Sequence, residues 1–352
     1  MNNYLHQFGW LHYGTLQSNN IEEDHIGRIQ AVHKTNYIVI THKGPLVGEL
    51  TGQMLYTTST EERPQTGDWV EIMLYDTQCI ITKILPRYSV LARKEAGKKS
   101  DKQLFAANID KAIIVQGLDR DYNPRRLERM VTALKDAAIE PIILLNKSDL
   151  ASDLEEKKQL IERNLPGTTI HCISALIGDG IERVEQLLQA FNTYILIGSS
   201  GAGKSTLLNA LTGGDTQKTG EISSAVGKGK HTTTARELFA LPNGSLIIDT
   251  AGIREFGLAL DNPESVASTF EDIDKLSADC YYDDCTHTEE PGCAILKAID
   301  NKELDLEIYN SFLKLRSEAE HYQTTQKEKK RKGKDLSKLV RNMKRYNIKK
   351  RY

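Results

Sequence analysis

The stretch Tyr194-Ile195-Leu196-Ile197-Gly198-Ser199-Ser200-Gly201-Ala202-Gly203-Lys204-Ser205-Thr206 runs from an apolar strand pattern through a glycine-rich turn into the helical pattern Leu207-Leu208-Asn209-Ala210-Leu211. A strand, then Gly-x4-Gly-Lys-Ser, then a helix is the context that makes such a sequence a phosphate loop. The glycines let backbone N–H groups converge on the α- and β-phosphates at a helix N-terminus, whose dipole favours anions. Lys204 is expected to reach the β- and γ-phosphates, and the Ser205 hydroxyl to ligate Mg2+. The triphosphate site therefore comprises Gly198, Ser199, Ser200, Gly201, Ala202, Gly203, Lys204, Ser205 and Thr206, with Lys204 also a catalytic candidate.

Outward from this loop the chain alternates between β and α patterns. Apolar strand runs stand at Ala112–Val115, Ile142–Leu145, Ile170–Ile173, Tyr194–Ile197 and Leu246–Ile248. Between them Asn123-Pro124 opens a helix with Leu127, Met130, Val131 and Leu134 on one face, and Ser152-x-x-Glu155 reads as a capping box. Such alternation predicts an α/β domain with a mostly parallel sheet covered on both faces. Upstream, between His25 and Leu85, short alternating runs broken by Gly, Pro, Asn and Asp predict a small β-barrel.

A phosphate loop does not choose a base. Asn146-Lys147-Ser148-Asp149, directly after the strand run Ile142–Leu145, does. The Asp149 carboxylate matches guanine N1–H and its 2-amino group as a charge-assisted pair, whereas adenine offers a ring acceptor and no amino group there. Lys147 is placed along the base plane, and Asn146 to tie this loop to the phosphate loop. Ser174 and Ala175 follow the next strand, where a backbone contact to the guanine carbonyl fits. Asp249-Thr250-Ala251-Gly252 ends a further strand, so that Asp249 holds Mg2+ through water and the Gly252 N–H senses the γ-phosphate. Between the two phosphate motifs, Gly227-Lys228-Gly229-Lys230-His231-Thr232-Thr233-Thr234 is placed as a first switch, with Thr233 or Thr234 completing the Mg2+ shell.

The base-reading motifs precede the phosphate loop, the reverse of the order in Ras-like GTPases, so the domain is circularly permuted. This order, with GKGKHTTT, DTAGIREFGL and Cys-x4-Cys-x-His-x5-Cys, resembles the family of ribosome small subunit-dependent GTPase A over about residues 25–352. The resemblance implies an N-terminal OB-fold, a permuted GTPase domain and a C-terminal zinc domain acting in late maturation of the small ribosomal (30S) subunit. It also points to His231 as catalytic. The residues agree, because Ile253 stands where Ras-like enzymes carry a water-orienting glutamine, and His231 is the nearest substitute. Departures are slight: Ala251 stands where proline is common, and the first twenty-odd residues extend beyond shorter members.

Cys280, Cys285, His287 and Cys293 form an S3N set suited to one structural Zn2+, with Pro291-Gly292 supplying a turn before the last ligand. So few cysteines, clustered this way, argue against a secreted disulfide framework; Cys79 and Cys172 fall in strand runs and read as core. No apolar run approaches the length of a membrane span, and the first residues lack the pattern of a secretory signal, so a cytoplasmic protein is expected.

The formal net charge of −2 conceals an asymmetry. Of 46 basic and 48 acidic residues, 13 and two respectively lie between Lys327 and Arg351, which leaves 33 and 46 for the rest. An acidic body with a basic tail suits a protein that grips a polyanion with one end. The expected organisation is an N-terminal extension (1–24), an RNA-binding OB-fold (25–88), a basic linker (89–108) with Arg93, Lys94, Lys98, Lys99 and Lys102, a permuted GTPase domain (109–257), a zinc domain (258–326) and a basic tail (327–352). GTP or GDP, Mg2+, one Zn2+ and the small subunit with its rRNA are the expected ligands of a monomer without membrane contact. A structural rRNA-binding protein with a vestigial pocket, or a GTPase acting on tRNA, are the alternative readings.

Overall fold

A computed structural model describes residues 3–17, 21–58, 62–94, 102–214, 236–250, 260, 262–321 and 323. Two compact units emerge, the first taking the described residues through 250 apart from Lys94, the second those from Leu260 onward.

The first unit opens with two short helices, α1 (Tyr4–Gln7) and α2 (Trp10–Gln17). Five strands follow: β1 (Ile26–Val32), β2 (Tyr37–Thr41), β3 (Gly44–Leu50), then helix α3 (Gly52–Thr57), β4 (Trp69–Tyr75) and β5 (Gln78–Ile84). They close in the order β1-β2-β3-β5-β4 and back to β1, with β3–β5 parallel and the other pairs antiparallel, an OB-like barrel. Its interior is filled by Ile29, Val39, Val70, Ile72, Cys79 and Ile81, so Cys79 is core as expected. Two glycines make room for Val39: a Cβ at Gly27 would stand 2.3 Å, and one at Gly48 2.6 Å, from its methyls.

The N-terminal helices are part of this packing. Trp10 and Tyr13 lie against Trp69 with ring centroids 5.0 and 5.4 Å apart, and the Tyr13 hydroxyl donates to the Pro86 carbonyl at 2.8 Å. Beneath them Arg28 is fully buried, its guanidinium 5.0 Å from the Trp69 ring centroid, donating to the Phe8 and Gly67 carbonyls and, at 2.8 Å, to the Thr193 hydroxyl.

Residues 89–108, expected as a linker, instead contain β6 (Val90–Lys94) and β7 (Lys102–Ala107) paired as a two-stranded ribbon. Leu91, Phe105 and Ala106 are buried in the core, which gives this polar stretch a reason to be regular. Arg93 bonds Gln103 across it, while Lys98 and Lys99 lie outside the described residues.

The β/α part then runs β8 (Lys111–Gly117), α4 (Pro124–Asp136), β9 (Glu140–Asn146), α5 (Leu154–Asn164), β10 (Thr169–Cys172), α6 (Ile181–Leu187), β11 (Thr193–Ile197), α7 (Lys204–Thr212), β12 (Glu237–Ala240) and β13 (Leu246–Asp249). The strand order is β10-β9-β8-β11-β13-β12, parallel except for β12, with apolar clusters on both faces. β12 has no counterpart in the sequence reading; its four residues alternate too briefly to stand out. It also pairs with barrel strand β1 at Ala31↔Glu237, so barrel and β/α sheet share one hydrogen-bonded ladder. Cys172 is half-buried against the core.

Helix α4 starts as expected, with Pro124 in its first turn and Asn123 Oδ1 accepting from the Arg126 N–H at 3.0 Å. Helix α5 does not. Its cap is Asp153 with no side-chain capping bond, and Glu155 accepts from Gln159 one turn on, so the Ser152–Glu155 box is not formed. Asp153 instead pairs with Lys157 at 2.9 Å.

The second unit is α-rich: α8 (Pro263–Thr269), α9 (Glu271–Ser277), α10 (Ala294–Asp300) and helical residues 306–321. They pack around Leu260, Val266, Phe270, Ile273, Ile295 and Phe312, with Phe270 and Phe312 edge to face at 5.8 Å. Among the described residues no helix is long and apolar enough to cross a membrane.

Candidate functional site

The first site lies where the parallel strands end. β11 runs into the phosphate loop and α7 begins at Lys204. Gly198, Gly201 and Gly203 hold φ of 146°, 80° and 99°, the region that favours glycine. Close approach makes the same demand: a Cβ at Gly198 would stand 2.2 Å from the Val115 carbonyl oxygen, and one at Gly203 2.2 Å from Asn146 Nδ2. Lys204 Nζ donates to the Gly198 and Ser199 carbonyls, both at 2.8 Å, closing the loop on itself. Burial lowers the Lys204 ammonium below its ordinary value, opposed by the charges of Asp249 and Asp121.

The residues expected to read the base converge on this loop. Asn146 ends β9 and is buried; its Nδ2 donates to the Ala202 carbonyl at 2.8 Å and its Oδ1 accepts from the Ala175 N–H at 2.9 Å. One side chain thus joins three motifs far apart in sequence. Lys147 takes a left-handed backbone, φ 67°, and its ammonium meets Asp119 at 2.6 Å. That bond holds the Asp119 carboxyl below its ordinary range. Ser174 Oγ donates to Asp149 Oδ1 at 2.5 Å, fixing that carboxylate.

Asp249 ends β13, buried, and Thr250 donates to the Leu196 carbonyl at 2.6 Å, locking β13 to β11. Ser205 in α7 and Asp249 offer hard oxygen donors, the chemistry that suits Mg2+. His231, Thr233 and Thr234, with the remainder of the first switch, and Gly252 lie outside the described residues.

Three residues were missed by the sequence reading. Asp119 and Asp121 belong to the loop after β8: the first pins Lys147, and the second accepts from the Ser199 hydroxyl while pairing with Arg126 at 2.8 Å. Two aspartates just past a strand end were the available signal. Glu237 sits opposite Asp249 in the β12–β13 register, and burial together with that charge raises its carboxyl above the ordinary range.

A second site lies in the α-rich unit. The ligand atoms of Cys280, Cys285, His287 and Cys293 all lie within 4.8 Å of one another. Cys280 Sγ is 3.6 Å from His287 Nδ1 and 4.0 Å from Cys293 Sγ, which is 3.8 Å from His287 Nδ1. A tetrahedron with ~2.3 Å metal–sulfur bonds has edges of about 3.8 Å, so the set fits one cation. Burial lowers the His287 imidazole below its ordinary value, favouring the neutral form a metal needs.

The chain around this cluster is braced. His287 has φ 66°, and its carbonyl accepts from the Tyr309 hydroxyl at 2.7 Å. Glu290 accepts from the Thr286 and Thr288 N–H groups, both at 2.9 Å, and from the Thr286 hydroxyl. At the expected turn, Gly292 has φ 81°, and a Cβ there would lie 2.8 Å from that of Tyr281.

Residues 84–259 match the RsgA GTPase family. A small ribosomal subunit biogenesis GTPase RsgA 1 of Bacteroides thetaiotaomicron is 40% identical over 346 residues, covering 97% of each chain. The chain belongs to the RsgA GTPase family. A second relative, the small ribosomal subunit biogenesis GTPase RsgA of Syntrophotalea carbinolica, is 41% identical over 324 residues and 89% of each chain. Among solved structures, YjeQ from Thermotoga maritima superposes with a TM-score of 0.62 at 24% identity, over 84% of this chain and 98% of that one. YloQ, described as a circularly permuted GTPase, gives 0.59 at 21% identity over 86% and 98%. At these identities the structures speak for the fold alone, and they bear out the permuted architecture. As an RsgA GTPase the chain is a GTP-hydrolysing enzyme.

Proposed function

We propose that this RsgA-family GTPase is a switch in late maturation of the small ribosomal subunit, binding rRNA in its GTP state and hydrolysing GTP when docked. The observation that carries the nucleotide half is the Asn146 junction, which ties phosphate loop, base loop and Ser174–Ala175 loop to one another. The ribosomal half rests on the relatives, which carry the name small ribosomal subunit biogenesis GTPase.

In this reading Asp149 selects guanine, Lys147 lies along the base, and Gly198 to Thr206 cradle the phosphates. Ser205, Asp249 and Thr233 or Thr234 hold Mg2+; Gly252 senses the γ-phosphate and His231 positions water. When bound, Mg2+ would neutralise phosphate charge that develops during transfer. Cys280, Cys285, His287 and Cys293 hold a structural Zn2+, since four protein ligands leave no open position. The domains divide as 1–24, 25–88, 89–108, 109–257, 258–326 and 327–352, with barrel and basic tail meeting rRNA, and the protein acts as a cytoplasmic monomer.

The test is co-sedimentation of the full chain with purified small subunits. Retention with a non-hydrolysable GTP analogue and release with GDP is the expected outcome. Equal sedimentation in both states, with no rise in GTP turnover on adding subunits, would overturn the proposal.

A further inference from the structure

Strand β12 begins at Glu237, which pairs with Asp249 of β13 on one side and with Ala31 of barrel strand β1 on the other. Directly opposed residues of an antiparallel pair project to the same face, with Cβ atoms about 4.5–5.5 Å apart. Because β12 runs against β13, its first residue lies at the sheet edge where β13 delivers Asp249 and the neighbouring β11 delivers the phosphate loop. Two carboxylates therefore stand side by side next to the phosphates' seat. The Glu237 side chain is half-buried, and its carboxylate has no hydrogen-bond or ion-pair partner among the described residues. Like charges so opposed repel, and a half-buried carboxylate without a partner is costly. A divalent cation at Asp249 relieves both penalties.

We propose that Glu237 is an outer anionic group of the magnesium site, acting from β12 without being a direct ligand, and that it strengthens the capture of Mg2+. The inference rests on the reading that Ser205 and Asp249 hold Mg2+. It has a structural corollary: β12 follows directly on the segment 215–235 that carries the first-switch sequence, so the cation is tied electrostatically to the strand that leaves that segment. As Glu237 also pairs with Ala31, the same strand is anchored on the barrel.

The experiment titrates free Mg2+ against the affinity of the full chain for a fluorescent GDP analogue, in wild type, Glu237→Gln, Glu237→Asp and Asp249→Asn. Affinity in EDTA serves as the measure of an intact pocket. Glu237→Gln is expected to need about tenfold more Mg2+ to reach half-maximal enhancement, the lower end of what losing an outer-shell partner costs. Its EDTA affinity should be unchanged, and Glu237→Asp should recover part of the shift. An unshifted midpoint for Glu237→Gln, while Asp249→Asn shifts, overturns the role of Glu237 alone. An equal loss with and without Mg2+ marks Glu237 as structural and also overturns it. If Asp249→Asn leaves the midpoint in place, the magnesium-site reading falls and this inference falls with it.

Discussion

Asn146 donates from Nδ2 to the main-chain oxygen of Ala202 at 2.8 Å, so the loop placed to read the base holds the loop placed to hold the phosphates. Its Oδ1 accepts from Ala175 at 2.9 Å, and the side chain is only 3% exposed. Truncation to alanine leaves a buried carbonyl and a buried N–H without partners, at about 1–3 kcal/mol each. Asn146→Ala should therefore lose GTP and GDP affinity together, by about ten- to a hundredfold, and melt at lower temperature. Nucleotide titration beside a thermal melt checks this, and a melt shift with unchanged affinity would detach Asn146 from the pocket.

Guanine selection is assigned to Asp149, whose carboxylate is held by Ser174 Oγ. Replacing it with asparagine exchanges one acceptor for an amide donor. Asp149→Asn should lose GTP and gain xanthosine triphosphate, whose C2 carbonyl takes a donor where guanine presents one. A competition assay between the two nucleotides reads the switch directly, and unchanged GTP preference would refute the assignment.

Much of this architecture was legible because its signals are local. The phosphate loop announces itself through glycines that the backbone needs, as the contacts at Gly198 and Gly203 demonstrate. The cysteine–histidine cluster is equally local, 14 residues from Cys280 to Cys293. Long-range polar pairing left no such trace. Arg28 looks like an ordinary strand arginine, yet it lies buried between the N-terminal helices, the barrel and Thr193 at the start of the strand that carries the phosphate loop. Asp119 and Asp121 acquire meaning only when the fold brings Lys147 and Ser199 beside them. The Ser152–Glu155 box failed for the opposite reason: a good local signal lost to Asp153, which gains Lys157 one turn later.

Metal removal should separate the two units. The Cys280, Cys285, His287 and Cys293 ligand atoms lie close enough together to hold a single cation, and metal binding there would be folding free energy for a small α-rich unit. Elemental analysis of reduced, native protein should give one zinc per chain. Chelation, or Cys285→Ser, should lower the helical signal while GTP affinity persists; a metal-free protein with an unchanged melt would refute the site.

The 13 Lys/Arg between Lys327 and Arg351, outside the described residues, stand against only two acids and concentrate positive charge in one segment. A tail that contacts phosphates releases counterions, and the logarithm of the binding constant then falls with the logarithm of salt by about one unit per contact. Deleting 327–352 should weaken binding to small subunits and flatten that slope. Equal slopes for the full and shortened chains would make the tail a bystander.

Hydrolysis should be slow in the free protein and faster on the small subunit. A glutamine after Asp-x-x-Gly orients the attacking water in Ras-like enzymes, and its loss removes much of the positioning on which phosphoryl transfer depends. Here that residue is Ile253, which cannot hydrogen-bond water. His231, set among glycines, lysines and threonines between the phosphate loop and Asp249, carries the nearest side chain able to do so. Both lie outside the described residues. If rRNA orders the segment around His231, docking supplies the missing alignment, and hydrolysis then times release. Turnover of wild type and His231→Ala should be measured with and without small subunits. Wild type is expected to rise strongly on the subunit, and His231→Ala to lose most of that rise, on the order of a hundredfold for one positioned water-orienting group. GTP affinity and subunit binding should persist in the variant, because His231 acts on the water and not on the nucleotide. Equal stimulation of both proteins would remove His231 from the mechanism and leave the orienting group to be supplied by the ribosomal partner.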